Sequence, residues 1–405
     1  MTNDTGSHAG ISRRDLFVGA GVAVGATAVT AASASAIAAE TARIAATSVG
    51  DATEPFYGPN QAGIRTAHQA HGTFAAFTLS DDANRDSLAG VMKVATIEAS
   101  RLCNGQAGMS DTDPTLAGNP ARLTITFGFG HAFFARAGLS HRVPVGFEPL
   151  PAFRIDELLP EYSGGDFLIH IGSDDPLTMA HALRHMSRVV ASVATPHYAQ
   201  AGFVRASGSS PHDETPRNLM GQKDGTENPR TDAAFDSQVW AGSDAGWFAG
   251  GSQVVIRRIA MALDTWDLLG PADKEAAIGR RLASGAPLTG REEFDAPDFD
   301  ASLDNGLPVI PDFSHIRRAH SPDEKFKILR RPLNFDDGFN PDGSPNAGLI
   351  FAAYTTNIAQ RYVPLQQRLA DMDLLNVWTT PIGSSEFVIP PGCLSGGYIG
   401  ETLFD

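Results

Sequence analysis

Two hydrophobic periods take turns along this chain, one of about two residues and one of about three and a half. Phe74–Leu79 is a short apolar run, and Arg85–Leu102 then places Leu88, Val91, Met92, Ala95 and Ile97 at helical spacing, which predicts a strand followed by a helix. Leu123–Phe129 is β-branched and aromatic, and Asp166–Ile171 is a further strand. Leu177–Ala194 is an amphipathic helix with Met179, Leu183, Met186 and Val190 on one side, and a last strand falls near Gln200–Ala206. The series recurs in the second half as strand Gln253–Leu263, helix Pro271–Arg281, buried strand Leu349–Thr355, helix Asn357–Leu369 and closing strand Glu386–Ile389. Element order of this kind, twice over, fits an α+β fold of two ferredoxin-like domains packed as a β-sheet sandwich or dimeric α+β barrel, rather than a parallel α/β sheet. No residue-level repeat accompanies it.

Ahead of the first strand the pattern is different. Ser12-Arg13-Arg14-Asp15 precedes an uncharged stretch from Phe17 to Ala39 made mostly of Ala, Val, Gly, Ser and Thr, with small residues spaced as a cleavage site needs them. Paired arginines before a weakly apolar segment predict a twin-arginine export signal over residues 1–39; the segment is long enough for a membrane anchor but too poor in large apolar residues for one. A polar leader over 40–55 follows. The two folded domains are expected at 56–210 and 211–405, and the Gly/Ser/Pro/Asp-rich stretch Ser207–Asp236 at their junction is long enough to suggest function rather than linkage. The export route carries proteins already folded, often with a cofactor in place, and ends in a periplasm or outside the cell.

Composition narrows the chemistry. With 31 basic against 46 acidic residues, a formal charge of −15 argues against a nucleic-acid partner, whose phosphates need Lys and Arg. Two cysteines, Cys103 and Cys393, exclude a disulfide scaffold, an iron–sulfur cluster and a thiolate zinc site, and leave one bridge open. Phosphate-binding, α/β-hydrolase and zincin motifs are missing, and Gly128-Phe129-Gly130 lacks the third glycine of a dinucleotide fingerprint.

Two segments remain that could carry chemistry. In Asn218–Pro229, Gly221 and Gly225 let the backbone turn tightly around Asp224 and would let a flat ligand lie against the main chain; read plainly, this is an Asp-Gly turn. His315 stands beside Arg317 and Arg318, with Arg330 and Arg331 further on. Cationic neighbours oppose a bare divalent ion, but they suit a ligand that brings its own carboxylates, such as haem. Without a C-x-x-C-H motif its attachment would be non-covalent.

Taken together these segments resemble the dye-decolorizing (DyP-type) peroxidase family, in particular its exported branch that includes the deferrochelatases. The likeness runs from Pro55–Ile64 through Leu123–Gly130 and Asp166–Ile171, is anchored by Gly221-x-x-Asp224-Gly225-Thr226, and continues through Gly251–Asp267, Gly285–Gly290, His315-Ile316-Arg317 and Gly348–Tyr354. It implies a haem b peroxidase with one haem per chain, which uses hydrogen peroxide to oxidise dyes, phenols or other organic reductants. The alternative within the same branch is a haem-handling protein that releases iron and leaves the porphyrin intact. By motif position His315 would ligate the iron, Asp224 and Arg330 would be the catalytic pair, and Gly225, Thr226, Glu227 and Arg330 would contact the cofactor. A carboxylate supporting His315 is expected, with Asp323 and Glu324 as the candidates. Because carboxylates titrate in acid, an acidic activity optimum is expected. Bulky reductants would need electron transfer through surface tryptophans or tyrosines; the four tryptophans Trp240, Trp247, Trp266 and Trp378 are available. The expected partners are peroxide, the reductant and the export machinery, with homo-oligomerisation left open. Two positions depart from the family pattern: Asn60 stands where the family usually has His, and Arg331-Pro332 where the branch often has Arg-Gly.

Overall fold

Strand His71–Leu79 (β1) is buried along nearly its whole length because both of its faces are covered. Phe74 and Ala76 point into a core shared with Leu168, Val254, Ile256, Phe335, Ile350 and Phe387, while Ala75 and Phe77 pack beneath helices Arg85–Cys103 (α1) and Pro176–Val190 (α2). A computed structural model shows this arrangement for residues 48–211, 214–321, 323 and 326–405. The expected signal over 1–39 and the first half of the 40–55 leader lie outside the described residues, as does Glu324.

In the first half, β1, Thr124–Phe129 (β2), Phe167–Ser173 (β3) and Ala194–Phe203 (β4) form an antiparallel sheet in the order β2-β3-β1-β4. The second half repeats that order as β7-β8-β5-β9, from Ser252–Met261 (β5), Leu333–Phe339 (β7), Pro345–Thr355 (β8) and Thr379–Ile389 (β9), with the short Leu329–Arg330 (β6) also on β8. The sheets meet at two narrow seams, Phe129 against Val388 and Phe203 against Asn334, so the strands form one nine-stranded α+β assembly closed by the β5–β8 pairing. Closure leaves few exposed strand edges.

The predicted elements are present with shifted ends. α1 begins at an Asn84–Ser87 capping box and buries Leu88, Val91, Met92 and Ala95, but Ile97 faces solvent at 43% exposure. The helix expected over Pro271–Arg281 stops at Ile278, because Gly279 takes a left-handed conformation with φ +90°. The helix expected from Asn357 opens as a wide π-type turn, Ile358–Tyr362, before α-helix Val363–Met372. Strand β7 was not expected: Asp336-Asp337-Gly338 interrupts its apolar pattern. Cys103 and Cys393 are both free and buried, so the bridge left open above does not form; burial pushes the first thiol up to about 12 and the second up to about 11. Among the described residues no helix is long and apolar enough to cross a membrane.

Candidate active site

Alternation along β5, β8 and β9 turns one set of side chains into the shared core and the other set outward. The outward set, Ile259 and Met261, Leu349 and Phe351, and Thr379 and Pro381, lines one wall of a cavity of about 250 Å³. Helix Val363–Met372 closes another side with Leu365, Gln366 and Leu369, and the loop around residues 218–227 supplies the polar side. Apolar walls with a few convergent charged groups are the common character of cofactor and substrate sites.

His315 opens a short helix, His315–Ala319, beside Gly279, where any side chain would meet Ile316. Its Nδ1 lies 2.6 Å from Asp373 Oδ2, and the other oxygen of Asp373 accepts from the Leu375 amide at 3.0 Å. Asp373 is 6% exposed. Held between two partners, this carboxylate accepts a hydrogen bond from Nδ1–H and leaves Nε2 of His315 as the nitrogen with a lone pair. The carboxylate on His315 is therefore Asp373 where Asp323 or Glu324 was expected, Glu324 lying outside the described residues. Asp373 sits 58 positions away at the end of helix Val363–Met372, where it also caps the next turn.

Asp224 and Arg330 come together across 106 positions: Arg330 Nη1 donates to Asp224 Oδ1 at 2.7 Å. Among the described residues Asp224 Oδ2 has a single contact, 3.5 Å from Asn218 Nδ2, which leaves lone pairs for a proton. Asn228 registers the two segments, its Nδ2 donating to the Arg330 carbonyl at 2.7 Å and its Oδ1 accepting from the Arg330 amide at 2.9 Å. Both Asp224 and Arg330 line the same cavity as His315.

Of the other expected contacts, Thr226 and Glu227 line the cavity and Gly225 does not. Gly225 matters through its backbone, with φ +130°. The arginines divide differently from expectation. Arg317 and Arg318 spend their donors on the carbonyls of Phe299, Ile310 and Asp312, and Arg331 turns away to the Thr66 carbonyl and Gln69. Arg330 reaches the cavity, joined by Arg257 and Arg280, which the sequence did not single out. Arg257 pairs with Asp156. Burial lowers the pKa of Arg280, against the opposing pull of Glu227 and Glu293. Trp266 and Trp378 stack edge to face, 5.2 Å apart, in the apolar cluster behind the cavity wall.

Glu293 was also missed. It receives hydrogen bonds from Thr215, Thr226 and Lys223, and although burial pushes its carboxyl up, those bonds and the Lys223 charge bring it below the usual glutamate range. A carboxyl depressed in the fold stabilises it at neutral pH, and that contribution fades as pH falls from the ordinary glutamate range through the lowered value. Lys223 reaches Glu293 by passing Gly285, which has φ +78° and where a Cβ would lie 2.7 Å from Lys223 Cδ. Gly285→Ala is therefore expected to destabilise the fold by about 1–2 kcal/mol, from the left-handed backbone alone, with the lysine displaced in addition. Urea unfolding would measure it, and a midpoint equal to that of the parent would contradict it.

Two family models match the chain: "Dyp-type peroxidase, N-terminal" over residues 61–204 and "Dyp-type peroxidase, C-terminal" over 215–394. A Dye-decolorizing peroxidase of Thermobifida fusca is 36% identical over 334 residues, covering 80% of this chain and 77% of its own. A Deferrochelatase of Yersinia pseudotuberculosis is 31% identical over 373 residues, covering 87% and 85%. Among solved structures, ferric DtpA from Streptomyces lividans superposes with a TM-score of 0.84 at 39% identity, covering 88% of this chain and 98% of that one.

Proposed function

The chain belongs to the Dyp-type peroxidase family, whose members are haem-dependent enzymes, and from that premise we propose that its cavity binds one haem b non-covalently, with His315 as the iron ligand and Asp224 and Arg330 as the catalytic pair. One observation carries the reading: a single apolar cavity holds both an imidazole whose Nδ1 is fixed by a buried carboxylate and a separate carboxylate–guanidinium pair. The residues suit the group. Nε2 of His315 is the donor an iron needs, Ile259, Met261, Leu349, Phe351 and Leu369 offer flat apolar contact, and Arg280 and Lys327 supply positive charge for carboxylates.

Bound haem would supply the iron at which peroxide is reduced. Everything else falls to the side chains. Asp224 accepts a proton from hydrogen peroxide at Oδ2, the oxygen with free lone pairs, and returns it to the departing oxygen. Arg330 orients Asp224 through the 2.7 Å contact and opposes the negative charge that grows on the departing oxygen. Asp373 holds His315 in one tautomer and raises its donor strength. Asp373→Asn is expected to weaken iron ligation or turnover by about 10–100-fold, the usual loss when such a partner is removed; haem retention on dilution, followed by absorbance, is the check.

The reducing substrates proposed are dyes, phenols or other organic molecules, the bulky ones oxidised through surface tryptophans or tyrosines. The division near residue 210 is supported by where the two family matches stop and start. Export through the twin-arginine route, to a periplasm or beyond the cell, is supported by Arg13-Arg14 and the uncharged stretch after them. The deciding experiment loads the protein with haem, adds peroxide and a reductant, and follows reductant and porphyrin together. Peroxide-dependent oxidation with the haem intact supports the proposal. Failure to take up haem, or iron release leaving free porphyrin, would overturn it in favour of another ligand or of iron handling.

A further inference from the structure

We propose that Glu293 is a positioning residue that holds Asp224 in its working place, an inference that rests on the proposed role of Asp224. Glu293 belongs to a charged run, Arg291-Glu292-Glu293, yet it is 8% exposed. Its Oε1 accepts from the hydroxyls of Thr215 and Thr226, the latter at 3.1 Å, and its Oε2 accepts from Lys223 Nζ at 2.5 Å. Lys223 and Thr226 flank Asp224 on either side, and Thr215 stands where the loop begins. One carboxylate thus gathers three points of the loop that presents the carboxylate doing the chemistry. Among the described residues three other contacts tie Asp224 back: its amide donates to the Pro216 carbonyl at 2.8 Å, Arg330 reaches its Oδ1, and Asn218 Nδ2 stands 3.5 Å from its Oδ2.

The same residue works through its main chain. The Glu293 carbonyl and the Gly285 carbonyl each accept from Arg280 Nη1 at 2.8 Å, which leaves Arg280 Nη2 on the cavity side, 3.5 Å from Glu227. Residue 293 therefore fixes both the loop of Asp224 and a buried guanidinium on the cavity wall. Its chemistry is demanding. Three donors, one of them an ammonium, converge on two oxygens, and an amide in that place would turn an N–H toward Lys223 Nζ or abandon one hydroxyl. Aspartate is one methylene too short to reach all three.

The test uses the haem-loaded protein carrying Glu293→Gln, alone and combined with Asp224→Asn. The expected result is a fall of about tenfold or more in the rate constant for reaction with peroxide, since a misplacement of ~1 Å can cost on the order of a hundredfold, with the KM for the reductant unchanged. In the Asp224→Asn background the same change is expected to cost nothing further, because the residue acts through Asp224. A second readout needs no turnover. Hydrogen exchange at the Asp224 amide is expected to quicken in Glu293→Gln while helix Val363–Met372 exchanges as before. Unchanged exchange, or an equal cost in both backgrounds, overturns the inference. If Asp224→Asn alone leaves the peroxide rate intact, the role of Asp224 fails instead, and exchange still judges the clamp.

Discussion

Changing Asp224 to asparagine is expected to slow the reaction with hydrogen peroxide by about 10²–10⁴-fold, the scale of a lost general base, while haem stays bound. Asparagine has the size of aspartate, and its carbonyl oxygen can still accept from Arg330 Nη1, so the loop held by Asn228, Thr226 and Lys223 keeps its place. What disappears is the ability to take a proton at Oδ2. Rapid mixing with peroxide measures the rate constant, and the absorbance of the bound haem before mixing confirms that the pocket is filled. A variant within about threefold of the parent would remove Asp224 from the catalytic pair. Arg330→Leu supplies the contrast. It leaves the base in place but removes both the donor that orients it and the charge that opposes the negative charge growing on the departing oxygen, so a loss of about 10²–10³-fold is expected with the carboxylate itself unchanged.

That pair was named from the family likeness at Gly221-x-x-Asp224-Gly225-Thr226 and the segment after His315; read locally, two glycines around Asp224 gave only a turn and paired arginines only a place for a ligand's carboxylates. Strand and helix order was legible locally, since periodicity of burial survives even when element ends move. What stayed hidden depends on contacts between distant segments. Asp373 lies at the end of a helix in a run, Asp371-Met372-Asp373, that reads as solvated, and only the fold carries it to His315. Glu293 is concealed the same way among exposed charges, and Arg257 sits inside an apolar strand pattern that hides which side its guanidinium takes. β7 escaped because its buried half, Leu333 to Phe335, is short and its outer half is polar and exposed. Proximity in sequence was a poor guide to the partner of a buried side chain, since the desolvation that makes a partner obligatory is created by chain closure and not by neighbours.

Changing His315 to alanine is expected to abolish stable retention of haem, a larger effect than any substitution at Asp373. The apolar walls would still hold the porphyrin weakly, but no other group in the cavity is arranged to replace the imidazole. His320 is the other imidazole on the cavity wall, and burial lowers its pKa. That keeps it neutral and formally able to bind iron, but it opens toward Glu227, Lys327 and Arg368 rather than being braced by a buried carboxylate as His315 is by Asp373. The two substitutions should therefore separate cleanly. His315→Ala should lose iron ligation and regain part of it when free imidazole is added, because the space left by the ring can admit a small ligand. Asp373→Asn should lose far less haem than His315→Ala does and should raise the reduction potential of what stays bound, because the imidazole loses the basicity its partner lends it. Absorbance of the bound iron and a redox titration check both. A His315→Ala protein that keeps the parent spectrum would move the ligand elsewhere, and His320 would be the next residue to change.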